Sequence, residues 1–223
     1  MEYKRITSIE DPLFRQMHDL MRSIFPAEEV LEFSLWEEPL KDEGLRVYAA
    51  VHEGEVVGAT EYRYYPEMRV AMTDFTIIGR EGLGIGPFLV KHRAQDLKAW
   101  VERTEGPMIG MFAEIYDPYA VADVGFGGVK PMNPYVRREV LAHLGYQRLD
   151  FEYVHPSWQG DGEAVTGLQL GFMPADDSLT SLPGSLIAKF LRTYYAGLNP
   201  KPPAWESMVE DVAQREEVAL LPL

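Results

Sequence analysis

A mixed α/β fold, a mixed sheet carrying helices, is what this sequence predicts, and three observations predict it. Three runs rich in β-branched and aromatic residues follow one another as a meander between residues 45 and 78. The third enters a loop with four glycines, Gly79, Gly82, Gly84 and Gly86, followed by Pro87, which reads as strand, tight turn and helix start. A strongly apolar run, Met108 to Tyr116, follows that helix. The middle of the chain is therefore an antiparallel meander feeding a β-loop-α-β unit.

In chain order, Tyr3 to Ser8 reads as a short strand, and Asp11-Pro12 opens a helix with Leu13, Phe14, Met17, Leu20, Met21 and Ile24 at helical spacing. Residues 26 to 44 hold Glu28, Glu29, Glu32, Glu37 and Glu38 beside Phe33, Leu35 and Trp36, a shorter helix and a loop. The acids there form a solvated face or line a mouth for a cationic substrate. Leu45 to His52 and Glu55 to Tyr65 are strands joined by a Glu53-Gly54 turn, and Arg69 to Ile78 is a third. Phe88, Leu89, Arg93, Leu97 and Trp100 trace a helix from about Gly86 to Arg103. Met108 to Tyr116 stops at Asp117-Pro118, and residues 119 to 132 read as a loop. Asn133 and Pro134 suit the cap and first position of a helix that Gly145 ends. Gln147 to Val154 and Ala164 to Met173 are strands around a turn, Leu182 to Ala196 is an amphipathic helix with Leu186, Ile187, Phe190, Leu191 and Tyr194 on one face, and Trp205 to Glu217 is a polar helix before an apolar tail.

The 223 residues make one domain, or one domain with an appendage. The absence of cysteine excludes disulfides, thiolate metal sites and a thiol nucleophile. No apolar run reaches the roughly 20 residues of a membrane span, so a cytoplasmic protein without a membrane partner is expected. A net charge of −14 argues against nucleic acid. It leaves room for a small anion held by backbone amides, and it can attract a cationic amine.

The glycine loop is the natural anion site, because a helix N-terminus presents unpaired amides and partial positive charge. A nucleotide-hydrolase phosphate loop would need Gly-Lys-Ser/Thr where Gly-Ile-Gly-Pro stands. The dinucleotide fingerprint would need glycine at Pro87 or Leu89. The segment Arg80 to Gly86 instead resembles the acyl-CoA pyrophosphate loop Arg/Gln-x-x-Gly-x-Gly/Ala, with Glu81 at the basic position.

Two blocks then carry a resemblance to the GNAT superfamily of acetyl-CoA-dependent N-acetyltransferases. One is Gly82-Leu-Gly-Ile-Gly86 between its strand and helix. The other is Asn133-Pro-Tyr-Val-Arg-Arg-Glu-Val-Leu-Ala-His-Leu-Gly-Tyr146, similar to that family's Asn-x-x-Ala…Leu-Tyr-x-x-Leu-Gly-Phe segment. The resemblance spans residues 3 to 173 and implies a GNAT domain over 1–174; beyond it, Leu186, Phe190, Tyr194 and the apolar terminus make 175–223 a helical extension expected to pack on the domain or on a second subunit, as in a homodimer. It implies acetyl-CoA as co-substrate, lying between the strand ending at Ile78 and the strand of Met108 to Tyr116. Phe75, Thr76, Ile77 and Ile78 would hold the pantetheine, and Gly82, Leu83, Gly84, Ile85 and Gly86 the pyrophosphate. Arg80 would add charge, and Asn133 belongs to the matched motif. The implied activity is acetyl transfer to a primary amine of a small molecule or peptide, by direct attack in a ternary complex.

Such chemistry needs a base for the amine and an acid for the leaving thiolate. The family's usual tyrosine acid corresponds to Leu141, so Tyr116 and Tyr135 stand in for it by location. Glu114 and Asp74, on the two strands flanking the implied cleft, are the candidate bases. The five histidines have no ligand spacing, so no metal is expected. Two rivals stay open, a non-catalytic acyl-CoA-binding or sensory module on the same fold and a protein holding another nucleotide at the loop.

Overall fold

The computed structural model describes residues 1–25, 30–120, 134–157 and 161–223. The described residues divide into two compact units, one within Met1 to Met108 and one of the described residues from Ile109 onward.

In the first unit, strands β1 (Glu2–Ile6), β2 (Leu45–His52), β3 (Glu55–Tyr65) and β4 (Val70–Ile78) lie side by side in that order, and every neighbouring pair is antiparallel. Glu53 and Gly54 both have positive φ, 52° and 83°, as a two-residue hairpin between right-twisted strands requires. Helix α1 (Pro12–Ile24) starts where expected, with the Asp11 carboxylate accepting from the Leu13 amide at 2.8 Å. A 3-10 turn, Phe33–Trp36, precedes the short α2 (Glu37–Lys41).

The two faces of this sheet bury different sets of side chains. Phe14, Met17 and Met21 of α1 join Trp36, Val47, Ala49, Phe75 and Ile77 in one cluster. On the other face, Ile85 and Leu89 of α3 (Ile85–Val101) meet Ala50 and Val57. The inner side of α3 also carries Arg93, buried among these apolar residues, and Asp96. Tyr62 donates to Asp96 Oδ2 at 2.7 Å and Tyr48 to Oδ1 at 3.2 Å.

In the second unit the strand order is β5 (Gly110–Tyr116), β9 (Leu168–Pro174), β6 (Gln147–Leu149), β11 (Glu217–Pro222) and β10 (Ser181–Pro183), each pair antiparallel. Two-residue strands β7 (His155–Pro156) and β8 (Ala164–Val165) pair separately. Helix α4 (Pro134–His143) ends at Gly145, whose φ of 95° lets the Tyr146 amide reach back to Leu141 O at 3.0 Å. Leu141 packs with Ala113, Ile115 and Tyr146 on one face of β5. On the other face Phe112 stacks on Phe190 of α5 (Gly184–Tyr194), with ring centroids 4.0 Å apart.

Three expectations shift here. The strand expected over Gln147 to Val154 stops at Leu149: the Asp150 amide makes one more bond to β11, to Ala219 O at 3.0 Å, and the Phe151 amide then turns back to Leu149 O at 2.9 Å. The strand expected from Ala164 is divided at Gly167, where φ is 88°. The final helix, α6 (Pro203–Gln214), closes early, and the apolar tail after it is β11. Residues 175 to 223 thus contribute two strands as well as two helices, all within the second unit. Most of the expected loop at 119 to 132 lies outside the described residues, as does Asn133. Among the described residues no helix is long and apolar enough to cross a membrane.

Candidate active site

The glycine loop takes the form its sequence predicts. Gly82 and Gly84 have φ of 80° and 66°, a region that L side chains avoid, and Gly84 is the N-cap of α3 with no side chain capping the helix. A Cβ built on either glycine would meet nothing within 4 Å. The loop is therefore unencumbered at both glycines, and with the uncapped first turn of α3 behind it forms a cradle of the right kind for a phosphate. At Gly86 a Cβ would come within 3.0 Å of Ile78 Cδ1, so glycine there seats the helix against the end of β4.

Along β4, Phe75 and Ile77 point into the α1 cluster, and Thr76 turns the other way, accepting from Arg93 Nη1 at 2.9 Å. These residues can offer a ligand only backbone groups, whereas Ile78 is exposed. Asp74 occupies an irregular position. Glu61 lies opposite Phe75 and Tyr62 opposite Thr73, so Asp74 is the extra residue of a β-bulge. The bulge brings its carboxyl to Glu61, which the sequence analysis missed. Burial first, and then the Asp74 charge and hydrogen bond, push Glu61 well above the usual carboxylate range. Of the two, Glu61 is buried and Asp74 is exposed.

In the second unit Glu114 sits in a polar cluster under α5. Tyr153 and Tyr195 both donate to its Oε1, their hydroxyls lie 2.8 Å apart, and His155 Nε2 is 3.3 Å from its Oε2. Burial alone would raise this carboxyl. Attraction and hydrogen bonding to His155, with the two tyrosine donors, outweigh it and hold Glu114 below the usual range. The same burial, together with the Glu114 charge, raises Tyr195 well above an ordinary phenol. Tyr116 lies two residues along β5 from Glu114, half-buried. Tyr135 is 50% exposed, donates to Pro118 O at 3.2 Å and rests edge-on against Tyr119. Of the four candidates for chemistry, the second unit holds Glu114, Tyr116 and Tyr135, and the first holds Asp74.

No protein-family model matches the chain, and no curated protein matches it in sequence. Solved structures do. A GNAT-family protein from Bacteroides thetaiotaomicron matches 89% of this chain and 97% of its own, with a TM-score of 0.57 and 12% identity. An acetyltransferase assigned from Staphylococcus epidermidis matches 78% and 99%, at TM-score 0.53 and 8% identity. An aminoglycoside 6'-N-acetyltransferase solved with coenzyme A matches 78% and 95%, at TM-score 0.50 and 18% identity.

The chain has the GNAT acetyltransferase fold. Within that GNAT frame the expected Arg80 is already engaged, its guanidinium 2.8 Å from Glu55 Oε2 on the exposed β3 end. The residues that fit a coenzyme are the open glycines and the uncapped amides of α3. Leu141, at the position of the usual GNAT acid, is half-buried and packs against Ala113, Ile115 and Tyr146. Among the described residues no group of three or more His, Asp or Glu could hold a metal ion. Tyr153, His155 and Tyr195, like Glu61, escaped the sequence reading, although Tyr153 and His155 stand two apart in one strand-like run, a spacing that puts them on one side of an extended chain.

Proposed function

We propose that this chain is an N-acetyltransferase that moves the acetyl group of acetyl-CoA to a primary amine of a small molecule or peptide by direct attack in a ternary complex. The observation that carries the reading is the glycine loop. Its two left-handed glycines face open space at the uncapped start of α3, directly after β4. When bound there, acetyl-CoA supplies an activated thioester. The amides of Ile85 and Gly86 would meet its pyrophosphate, and the backbone of Phe75 to Ile78 its pantetheine.

Asp74 is the better of the two candidate bases. It is exposed and hydrogen-bonded to the Glu61 carboxyl, so an acceptor amine can reach it from solvent. Glu114 is tied to three donors that favour its ionised form, which weakens it as a base. Its Tyr153, Tyr195 and His155 partners make it an anchor for the region around α5. Tyr116 remains the candidate acid. Tyr135 has its proton on Pro118 O. The net charge of −14 favours cationic acceptors in the encounter.

A second reading, an acyl-CoA-binding module without turnover, is favoured by one observation, the apolar packing of Leu141 at the position of the usual acid. The test begins with thermal unfolding in excess acetyl-CoA, with NADH and ATP as controls. At about 100 times its dissociation constant, a ligand of the folded state alone adds ~2.7 kcal/mol. Release of free CoA is then followed across a panel of amines. Stabilisation by acetyl-CoA with amine-dependent CoA release supports the transferase, and stabilisation without release supports the binding module. Stabilisation by NADH or ATP alone would overturn both.

A further inference from the structure

The bulge at Asp74 interrupts the β3–β4 ladder, and side chains bond to the backbone beside the interruption. Thr73 Oγ1 donates to Glu61 O at 2.9 Å, and Thr60 Oγ1 donates to Phe75 O at 3.1 Å, so the carbonyls of two residues paired beside the bulge are satisfied by threonines of the α3 face. Both hydroxyls, and that of Thr76, lie within donor range of one atom, whose two N–H bonds they share. Arg93 Nη1 lies 3.2 Å from Thr60 Oγ1, 2.9 Å from Thr73 Oγ1 and 2.9 Å from Thr76 Oγ1. Donation thus runs in one direction, from guanidinium to hydroxyl to carbonyl, an arrangement in which each bond polarises the next.

Arg93 is 4% exposed, and among the described residues no carboxylate lies within ion-pair distance of it. A buried guanidinium facing three hydroxyls is a costly choice for packing alone. What it achieves is register. Thr73 and Phe75, two residues apart, are turned to opposite faces of β4. Asp74 is thereby carried to Glu61, on the face away from Arg93.

We propose that Arg93 is a positioning residue for acyl transfer. Through Thr60, Thr73 and Thr76 it holds the bulge that sets both the β4 backbone offered to acyl-CoA and the Glu61–Asp74 carboxyl pair offered to the acceptor amine. This rests on the acetyl-transfer reading for its ligand, while the effect on the carboxyl pair is independent of any ligand. The other ionisable groups facing that pair are Arg63 and Tyr65.

The experiment compares the full-length chain with Arg93→Met, Arg93→Lys, Thr73→Val and Thr73→Ser. Two quantities are read, acetyl-CoA affinity by calorimetry and the titration of Glu61 and Asp74 by carboxyl carbon NMR. Thr73→Val nearly preserves volume and serves if Arg93→Met does not fold. The expected result is a loss of affinity of about tenfold or more in the Met and Val variants, recovery in Lys and Ser, and a changed carboxyl titration only where affinity is lost. Equal affinity and an unchanged titration in Thr73→Val would overturn the proposal. If the unsubstituted protein binds no acetyl-CoA, the acetyl-transfer reading fails instead. The titration then decides alone, a shift in Thr73→Val supporting Arg93 as the holder of the bulge and no shift refuting it.

Discussion

Glu114 and Glu61 are buried carboxyls whose pKa values move in opposite directions, and pH separates their contributions. The folded pKa of Glu114 is depressed, so its contribution to stability is complete above the ordinary carboxylate value of about 4.3 and is lost as pH falls through the lower folded value. Glu61 is raised, so stability declines as pH rises from that ordinary value through the raised one. In urea unfolding followed against pH, Glu61→Gln should flatten the decline on the alkaline side, and Glu114→Gln the decline on the acid side. Glu114→Gln should also cost about 1–3 kcal/mol at neutral pH, because it disturbs three donors at a buried acceptor. A pH-independent difference from the parent would contradict the direction assigned to either group. The sequence gives little warning of these roles. The partners of Glu114 lie 39 and 81 residues away for the two tyrosines, and Arg93 occupies a position that helical spacing assigns to the apolar face.

At the level of single elements, local chemistry was readable wherever the cause was local. Asp11-Pro12 caps α1, Glu53-Gly54 turns the first hairpin, and Gly84 begins α3, because each depends on backbone preferences of two or three residues. The bulge in β4 was not readable, because it exists only relative to the register of β3. On α5, spacing put Tyr194 on the buried face, yet Tyr195 is the residue fully enclosed, since the helix gives way to a turn there and the side chain swings to Glu114. The Phe112–Phe190 stack joins helix α5 to β5. Phe190→Ala should destabilise the protein by about 3–5 kcal/mol in chemical denaturation, and a loss below ~1 kcal/mol would show that the site collapses around the gap. At the loop, Gly84→Val places a β-branched residue at positive φ in open space. It should abolish stabilisation by acetyl-CoA while leaving the first sheet intact by circular dichroism.

For the whole molecule, the order of strands matters more than their number. The mixed α/β class followed from patterning, but the incorporation of the apolar tail into the second sheet did not, since nothing in Val218 to Leu223 names its partner strand. Truncation near residue 175 removes β10 and β11 along with Phe190 and Tyr195. We expect an insoluble or partly unfolded product, and a stable, fully active monomer in size-exclusion chromatography would refute that. The intact chain in the same measurement tests the proposed homodimer. The place of β11, between β6 and β10 in the sheet, also bears on biosynthesis. When β6 leaves the ribosome its outer edge has no neighbour, and residues 150 to 216 must still be translated before β11 begins, on the order of several seconds at about 5–20 residues per second. During that interval the nascent chain displays an unpaired strand edge, which makes elongation speed and chaperone access, rather than final stability alone, determinants of its yield.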